Sequence, residues 1–204
     1  MKNKGFQTKY DPAGTNPTVK LREQQADTLR RDGLLRLALA APLSTPGAAV
    51  RNADIQLDVL HKAAAEGVDL LVFPALSLCG VRNGDLFLQE DLLEDAQAAL
   101  LRLAEANRLS GLTLISSLPL RTGCGLIAAA AVIRGAEIQA VVPLAAPRRD
   151  PAWRAFLPPE RWDELPPCLN LNGGLSVALL REGSFSLPEF SSLAITCRSD
   201  NFED

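Results

Sequence analysis

The feature that most constrains the fold is an alternation of short apolar runs with stretches of helical periodicity. Apolar runs of strand length are found at 34–42, 69–75 and 112–120. The stretches between them repeat apolar residues at helical spacing. At 47–67 these residues are Ala53, Ile55, Leu57, Leu60 and Ala64, and at 90–111 they are Leu93, Ala96, Leu100, Leu103 and Ala104. Strands that alternate with helices of this length indicate an α/β protein whose first strands run parallel.

Two further strands are predicted at 126–135 and 137–146, and Gly135-Ala136 between them favours a tight hairpin. A parallel unit followed by a meander predicts a mixed sheet with helices on one face, that is, a layered α/β fold. A Pro- and Arg-rich loop is predicted after the meander, followed by short strands. These regions are 147–167 for the loop and 168–171, 175–181 and 191–197 for the strands.

Residues 1–32 differ in composition from the rest of the chain. They contain seven Lys or Arg against four Asp or Glu, with few apolar residues. This composition predicts a flexible N-terminal arm with a short helix at 22–31, followed by one domain at 33–204.

Composition excludes several classes of function. The 204 residues are 47% hydrophobic and 22% charged, with a net charge of −3. That balance gives no electrostatic basis for binding nucleic acid or an anionic membrane. No apolar run reaches the length of a membrane span, and the N-terminus has no apolar secretion segment. A cytoplasmic location is therefore expected.

Four widely separated cysteines argue against a structural metal. Cys79, Cys124, Cys168 and Cys197 form none of the closely spaced pairs that hold zinc. Disulfides are not expected in a cytoplasmic protein, so most of these residues are predicted to be small buried side chains. No cofactor or metal is predicted.

Residues 70–89, "LLVFPALSLCGVRNGDLFLQ", carry a family resemblance. The strand that ends in Phe-Pro resembles the nitrilase (carbon-nitrogen hydrolase) superfamily segment that ends in Phe-Pro-Glu. The following "GDLFLQ" is similar in particular to the glutaminase domain of glutamine-dependent NAD⁺ synthetase. The resemblance covers about 34–204, and it implies a nitrilase-like layered α/β sandwich.

The resemblance implies a Glu-Lys-Cys site that hydrolyses an amide through a thioester. In such a site the glutamate takes the thiol proton, and the lysine stabilises the oxyanion. The glutamate position matches Ala75. The lysine position matches Leu144 in "AVVPLAAP", and the nucleophile position matches Cys197 in "LAITCRSDNF". Alanine cannot accept a proton and leucine cannot stabilise an oxyanion. Of the three catalytic residues that the resemblance implies, only the cysteine is therefore retained.

Residues 152–162, "AWRAFLPPERW", resemble a synthetase-type segment beside the active site. Glu160 in this segment is a candidate accessory acid for Cys197, although a solvated or ion-paired loop residue is the alternative. Trp153 and Trp162 are predicted to cover an edge of the core. Asp85, in the "GDLFLQ" segment, is predicted to cap a turn, and the alternative that the resemblance implies is a contact with a neighbouring subunit.

Three interpretations of function remain open. The first is a degenerate, non-catalytic relative of the glutaminase domain, acting as an interaction or assembly module with a protein partner, a second copy or a synthetase-type subunit. The second is an active hydrolase that uses Cys197 and supplies ammonia for NAD⁺ synthesis. Because the resembled fold continues beyond Cys197, the domain is expected to be C-terminally shortened, with the rest on another polypeptide or lost. A truncated product without function is therefore the third interpretation.

Overall fold

The computed structural model describes residues 25, 27–29, 31–145, 150–172, 174–187 and 190–198, with backbone alone for 182–187 and 190–198. Most of the predicted N-terminal arm therefore lies outside the described residues. The described residues of 25–31 are helical, in agreement with the short helix predicted there. Leu34 then donates its amide hydrogen to the Leu29 carbonyl at 2.8 Å, which ends this turn.

A five-stranded mixed sheet forms the centre of the fold. Its strands are β1 (Leu37–Leu39), β2 (Leu70–Val72), β3 (Thr113–Thr122), β4 (Gly125–Arg134) and β5 (Glu137–Pro143). They lie in chain order, parallel from β1 to β3 and antiparallel from β3 to β5. The hairpin predicted at Gly135-Ala136 is present, because Arg134 pairs with Glu137.

Two helices cover one face of this sheet. They are α1 (Ala49–Ala65) and α2 (Glu90–Ala106). Helix α2 buries the face that its periodicity predicted, at Leu93, Ala96, Leu100, Leu103 and Ala104. Together with inward residues of the sheet it forms one large apolar cluster, which contains Leu71, Leu114, Leu118 and Val141. The predicted layered α/β architecture is confirmed.

Helix α1 differs from its prediction because two of its buried residues are polar. Asn52 and Gln56 are each 1% exposed. The Asn52 side chain satisfies the backbone of two loops, since it accepts from the Thr45 amide at 2.8 Å and donates to the Leu78 carbonyl at 2.9 Å. Such hydrogen bonds compensate for the desolvation of the amide. Ile55 and Leu57, predicted to face the core, are only half-buried.

The face of the sheet opposite the helices is also apolar. A second, smaller cluster lies there, formed by Leu70, Ile115, Ala130 and Val132, with Val72 and Leu144 packed against it. At the β1 end of this face the side chains become exposed, to 51% for Leu37 and 76% for Leu39. Sheets with parallel strands usually carry apolar residues on both faces because both are covered.

The remainder of the described chain consists of short turns and two hairpins. The 3₁₀ segments are Gly84–Leu88, Asn107–Leu109, Pro151–Trp153 and Pro159–Glu164. One hairpin pairs β6 (Cys168–Leu171) with β7 (Leu175–Ala178), and the other pairs β8 (Glu182–Leu187) with β9 (Phe190–Arg198). Strand β8 was not predicted. Among the described residues no helix has the length and apolarity needed to span a membrane.

Candidate functional site

The carboxyl ends of β2 and β5 lie at the same edge of the sheet. Strand β2 runs parallel to β3, and two antiparallel pairings return β5 to that same direction. Ala75 follows the end of β2, and Leu144 follows the end of β5. Two of the three predicted site positions are therefore brought to one edge, separated by β3 and β4.

Hydrogen bonds fix the backbone at both positions. The Leu76 amide donates to Ser117 Oγ of β3 at 2.9 Å, and Ser117 Oγ donates to the Ala129 carbonyl of β4 at 2.9 Å. The Leu144 amide donates to the adjacent Ala128 carbonyl at 2.8 Å. These hydrogen bonds connect the backbone beside Ala75 to β3 and β4, and the backbone of Leu144 to β4.

The side chains at these two positions are apolar and half-buried. Ala75 and Leu144 both pack against the large core cluster, and Leu144 also contacts the smaller one. A methyl and an isobutyl group cannot transfer a proton or stabilise negative charge. These two positions offer packing and no acid–base chemistry.

Leu76, directly after Ala75, has a positive φ of 53° although it is not glycine. It is also 0% exposed. A bulky side chain in the left-handed region costs free energy and persists where the surrounding structure enforces it. Burial of the Leu76 side chain and the hydrogen bond to Ser117 supply that enforcement.

A buried polar cluster lies beneath this turn. Ser116 Oγ donates to Gln56 Oε1 at 2.8 Å, and Ser77 Oγ is 3.4 Å from Ser116 Oγ. Gln56 Nε2 is buried without a hydrogen-bond partner. No local sequence pattern indicates this cluster, because its members come from α1, β3 and the loop after β2.

Cys197 lies in β9, where its backbone is opposite Gly183 of β8. Its side chain is among those not described. The assignment of Cys197 as the nucleophile position therefore stays a prediction.

Leu179 and Leu180 lie next to β5 and were not singled out from the sequence. Leu179 forms a parallel bridge with Val141, and the Leu180 amide donates to the Val141 carbonyl at 2.9 Å. The chain after β7 therefore runs alongside β5 in the same direction. The predicted strand at 175–181 was the only sequence signal for this pairing. Leu179 also lines a cavity of about 250 Å³ with Leu165, Pro166, Pro167 and Arg181.

The "GDLFLQ" segment and the loop at 152–162 are in contact. The rings of Phe87 and Phe156 are 4.8 Å apart in an edge-to-face arrangement, and Trp153 lies 5.5 Å from Phe156. Arg154 Nη2 donates to Asp85 Oδ1 at 2.7 Å. The prediction that Asp85 caps a turn was wrong, because its carboxylate pairs with Arg154 and the segment has no side-chain cap.

The end of this loop packs against the β3–β4 turn. Trp153 and Trp162 are 7% and 5% exposed and belong to the large core cluster, as predicted. Cys124 Sγ donates to the Glu164 carbonyl at 2.8 Å. The Glu164 carboxylate accepts from the Arg161 guanidinium, which lowers the pKa of Glu164. Glu160 is exposed on the same 3₁₀ segment.

The other chemically active side chains are dispersed. Burial, and then the negative charge of Asp95, raise the pKa of the Cys79 thiol to about 12, so this thiol is a poor nucleophile at neutral pH. His61 and Cys168 are exposed. The described part of the chain contains no group of three or more His, Cys, Asp or Glu side chains that could hold a metal ion.

Comparison with known sequences gives glutamine-dependent NAD(+) synthetases among the relatives of this chain. The chain is 32% identical over 111 residues to the glutamine-dependent NAD(+) synthetase of Mycobacterium bovis, which covers 54% of this chain and 16% of the synthetase. It is 32% identical over 107 residues to the enzyme of the same name from Xanthomonas campestris, covering 52% and 19%. The chain thus spans less than a fifth of the length of these relatives. No protein-family model matches.

Comparison with solved structures gives the same fold. A glutamine-dependent NAD(+) synthetase from Cytophaga hutchinsonii superposes with a TM-score of 0.64 and 18% identity, over 74% of this chain and 26% of that one. An amidase from Nesterenkonia, of the nitrilase superfamily, superposes with a TM-score of 0.51 and 26% identity, over 72% and 54%. A mutant of that amidase shows Michael addition of acrylamide at its active-site cysteine.

Proposed function

Since the chain is a relative of the nitrilase superfamily, and in particular of glutamine-dependent NAD⁺ synthetase, we propose that it is a non-catalytic form of the glutaminase domain. In this proposal it acts as an interaction or assembly module in the cytoplasm. Its partner is a protein, either a synthetase-type subunit or a second copy of the chain.

The observation that carries this proposal is the chemistry of Ala75 and Leu144. Both follow strands that end at one edge of the sheet, and both pack into apolar clusters. Loss of a general base or of an oxyanion donor typically costs about 10²- to 10⁴-fold in rate. These losses are not additive when the groups act as a unit, yet either one alone removes most turnover.

The retained framework supports a structural role. The turn after β2 keeps a strained Leu76 and the hydrogen bond to Ser117, although Ala75 has no reactive group to present. Phe87 and Phe156 hold the "GDLFLQ" segment against the 152–162 loop. A framework that is kept around an unreactive edge fits an assembly module.

The proposal is tested by assaying the purified chain for ammonia release from glutamine. The expected rate is the background rate, and native mass spectrometry of the chain purified from its source should show a stable complex. Ammonia release above background that is lost in Cys197→Ser overturns the proposal. Cys168→Ser, which removes an exposed cysteine, is the matched control and should change nothing.

The second candidate function is an active carbon-nitrogen hydrolase that uses Cys197. It is favoured by the cysteine in "LAITCRSDNF", which stands at the position that resembles the nucleophile of the family. Glu160 would then be the accessory acid. Catalysis of this kind requires glutamine turnover in the isolated chain and its loss in both Cys197→Ser and Glu160→Gln.

A further inference from the structure

The sequence contains two Asn-Gly pairs, Asn83-Gly84 and Asn172-Gly173. Asparagine is one of the thermolabile residues of proteins. Glycine as the next residue favours the loss of its side-chain ammonia, because no Cβ shields the glycine backbone nitrogen from the asparagine Cγ atom. The structure places the two asparagines in different environments, so the two pairs should differ in reactivity.

The Asn83 side chain is buried and fully engaged. It is 6% exposed, and its Nδ2 donates to the carbonyls of Cys79 and Gly80, both at 2.9 Å. The Asn83 carbonyl accepts from the Leu86 amide at 3.0 Å, at the start of the 3₁₀ segment Gly84–Leu88. Closing a ring between Asn83 Cγ and the next backbone nitrogen would break the two side-chain hydrogen bonds and disturb this turn.

Asn172 is exposed, directly after the end of β6. Its Nδ2 donates to the Glu94 carbonyl of α2 at 3.3 Å, which is longer than the usual range for an N–H···O hydrogen bond. Its backbone amide donates to Gln97 Oε1 of α2 at 3.0 Å. The Asn172 side chain is therefore open to water and weakly held, in contrast to that of Asn83.

From this difference we infer that Asn172 is a site of spontaneous deamidation and that Asn83 is protected from it. The backbone nitrogen of Gly173 bonds to Asn172 Cγ, the Cγ–Nδ2 bond breaks, and ammonia leaves with the proton of that backbone nitrogen. Water then opens the succinimide ring and leaves aspartate or isoaspartate at position 172. The reaction consumes only water, and the inference is independent of the proposed function.

Deamidation also weakens the contact between the turn after β6 and helix α2. A carboxylate has no hydrogen to donate, so the hydrogen bond to the Glu94 carbonyl is lost and oxygen faces oxygen. Isoaspartate in addition inserts a methylene group into the main chain. The backbone amide at position 172 should then be held less firmly against Gln97.

The modification is tested by peptide mapping with mass spectrometry while the intact chain is incubated at about pH 8, in buffer and in urea. In buffer the Asn172 peptide should gain the mass of deamidation at least about tenfold faster than the Asn83 peptide, because Asn83 must first open two buried hydrogen bonds. In urea the two rates should agree within about threefold, since glycine follows in both pairs and the fold no longer protects either.

Equal rates in buffer, or a faster rate at Asn83, overturn the inference. It is also overturned if the Asn172 peptide stays unchanged in buffer over the time in which it reacts in urea. Ammonia from Asn172 forms without glutamine, so this reaction is distinguishable from glutaminase turnover.

The weaker contact with α2 is tested with Asn172→Asp. Protection of the residue 172 amide against hydrogen exchange should fall at least about threefold relative to the unmodified chain. Asn172→Ser, which keeps an uncharged hydrogen-bond donor, is the matched control and should lose less protection. Equal protection in Asn172→Asp and the unmodified chain overturns the predicted weakening.

Discussion

Arg154 and Asp85, which lie 69 residues apart in the chain, are joined by a hydrogen-bonded ion pair of 2.7 Å between Nη2 and Oδ1. Both side chains are mostly exposed, at 67% and 80%. Directly beside them the buried rings of Phe87 and Phe156 meet at 4.8 Å. The contact between these two segments thus has an exposed polar part and a buried aromatic part, and the two should differ in energy.

Phe156→Ala should destabilise the fold by about 3–5 kcal/mol, because it removes a buried ring and leaves a cavity. Arg154→Ala should cost less than about 1 kcal/mol, because an exposed ion pair is screened by water and salt. Urea unfolding of both variants measures the two costs. Arg102→Ala, which breaks the exposed pair with Asp54, is the control and should match Arg154→Ala. An equal loss of unfolding free energy in Arg154→Ala and Phe156→Ala would contradict this account.

At position 76 the usual order of stability, in which an alanine variant is more stable than a glycine variant, should be reversed. The positive φ of Leu76 costs a non-glycine residue roughly 1–2 kcal/mol. Leu76→Ala loses the buried side chain and keeps that strain, whereas Leu76→Gly loses the side chain and relieves the strain. We therefore expect Leu76→Gly to be at least as stable as Leu76→Ala in chemical unfolding.

Leu78 provides the comparison for this prediction. It is also 0% exposed, and it lies outside the left-handed region. Here the ordinary order should hold, with the glycine variant less stable than the alanine variant by about 0.5–1 kcal/mol. The same order at both positions would show that Leu76 is unstrained.

Cys79 should make the fold less stable as the solution becomes alkaline. Burial and Asp95 raise the pKa of its thiol from 9.0 to about 12. Below pH 9 the folded and unfolded chains both hold the proton. Between pH 9 and 12 only the unfolded chain releases it, so stability falls by up to about 1.4 kcal/mol per pH unit.

Urea unfolding at pH 8, 9 and 10 measures this loss. Because other groups titrate in the same range, the informative quantity is the difference in slope between the unmodified chain and Cys79→Ala. The variant should lose stability with pH less steeply. Identical slopes would mean that the thiol ionises equally well in the folded chain.

The edge of the sheet should accept charged residues at positions 75 and 144. Both side chains are half-buried at strand ends, so Ala75→Glu with Leu144→Lys can place its charged groups at the surface of the edge. A cooperative thermal transition close to that of the unmodified chain is expected. Leu118→Lys, which puts a charge at a fully buried position of β3, should abolish that transition. Gross unfolding of the double variant would count against the placement of Ala75 and Leu144.

The sequence predicted well where hydrophobic periodicity coincided with burial. Helix α2 buries Leu93, Leu100 and Leu103 as its pattern required. The prediction of the buried face of helix α1 was less accurate, because Asn52 and Gln56 are polar and buried. Their hydrogen-bond partners come from loops and from β3. Periodicity contains no information about such partners.

Two other features depended on contacts between distant segments. Asp85 was expected to cap a turn, since no local pattern indicates that Arg154 reaches it. Strand β8 was missed because Gly183, Ser184 and Ser186 have low strand propensity. Its extended backbone is instead stabilised by antiparallel pairing with β9. The apolar character of Ala75 and Leu144 was evident from the sequence, whereas the bridge between Leu179 and Val141 became evident only from the backbone of β5.

The short outer strand β1 bears on how the protein behaves at high concentration. In the sheet order it stands at an end, with leucine side chains at 37 and 39 largely open to solvent. An edge strand with exposed apolar side chains can pair with a strand of another molecule, and such pairing leads to self-association. Because only three residues form this strand, it can make few hydrogen bonds with another molecule, so self-association through β1 should stay weak.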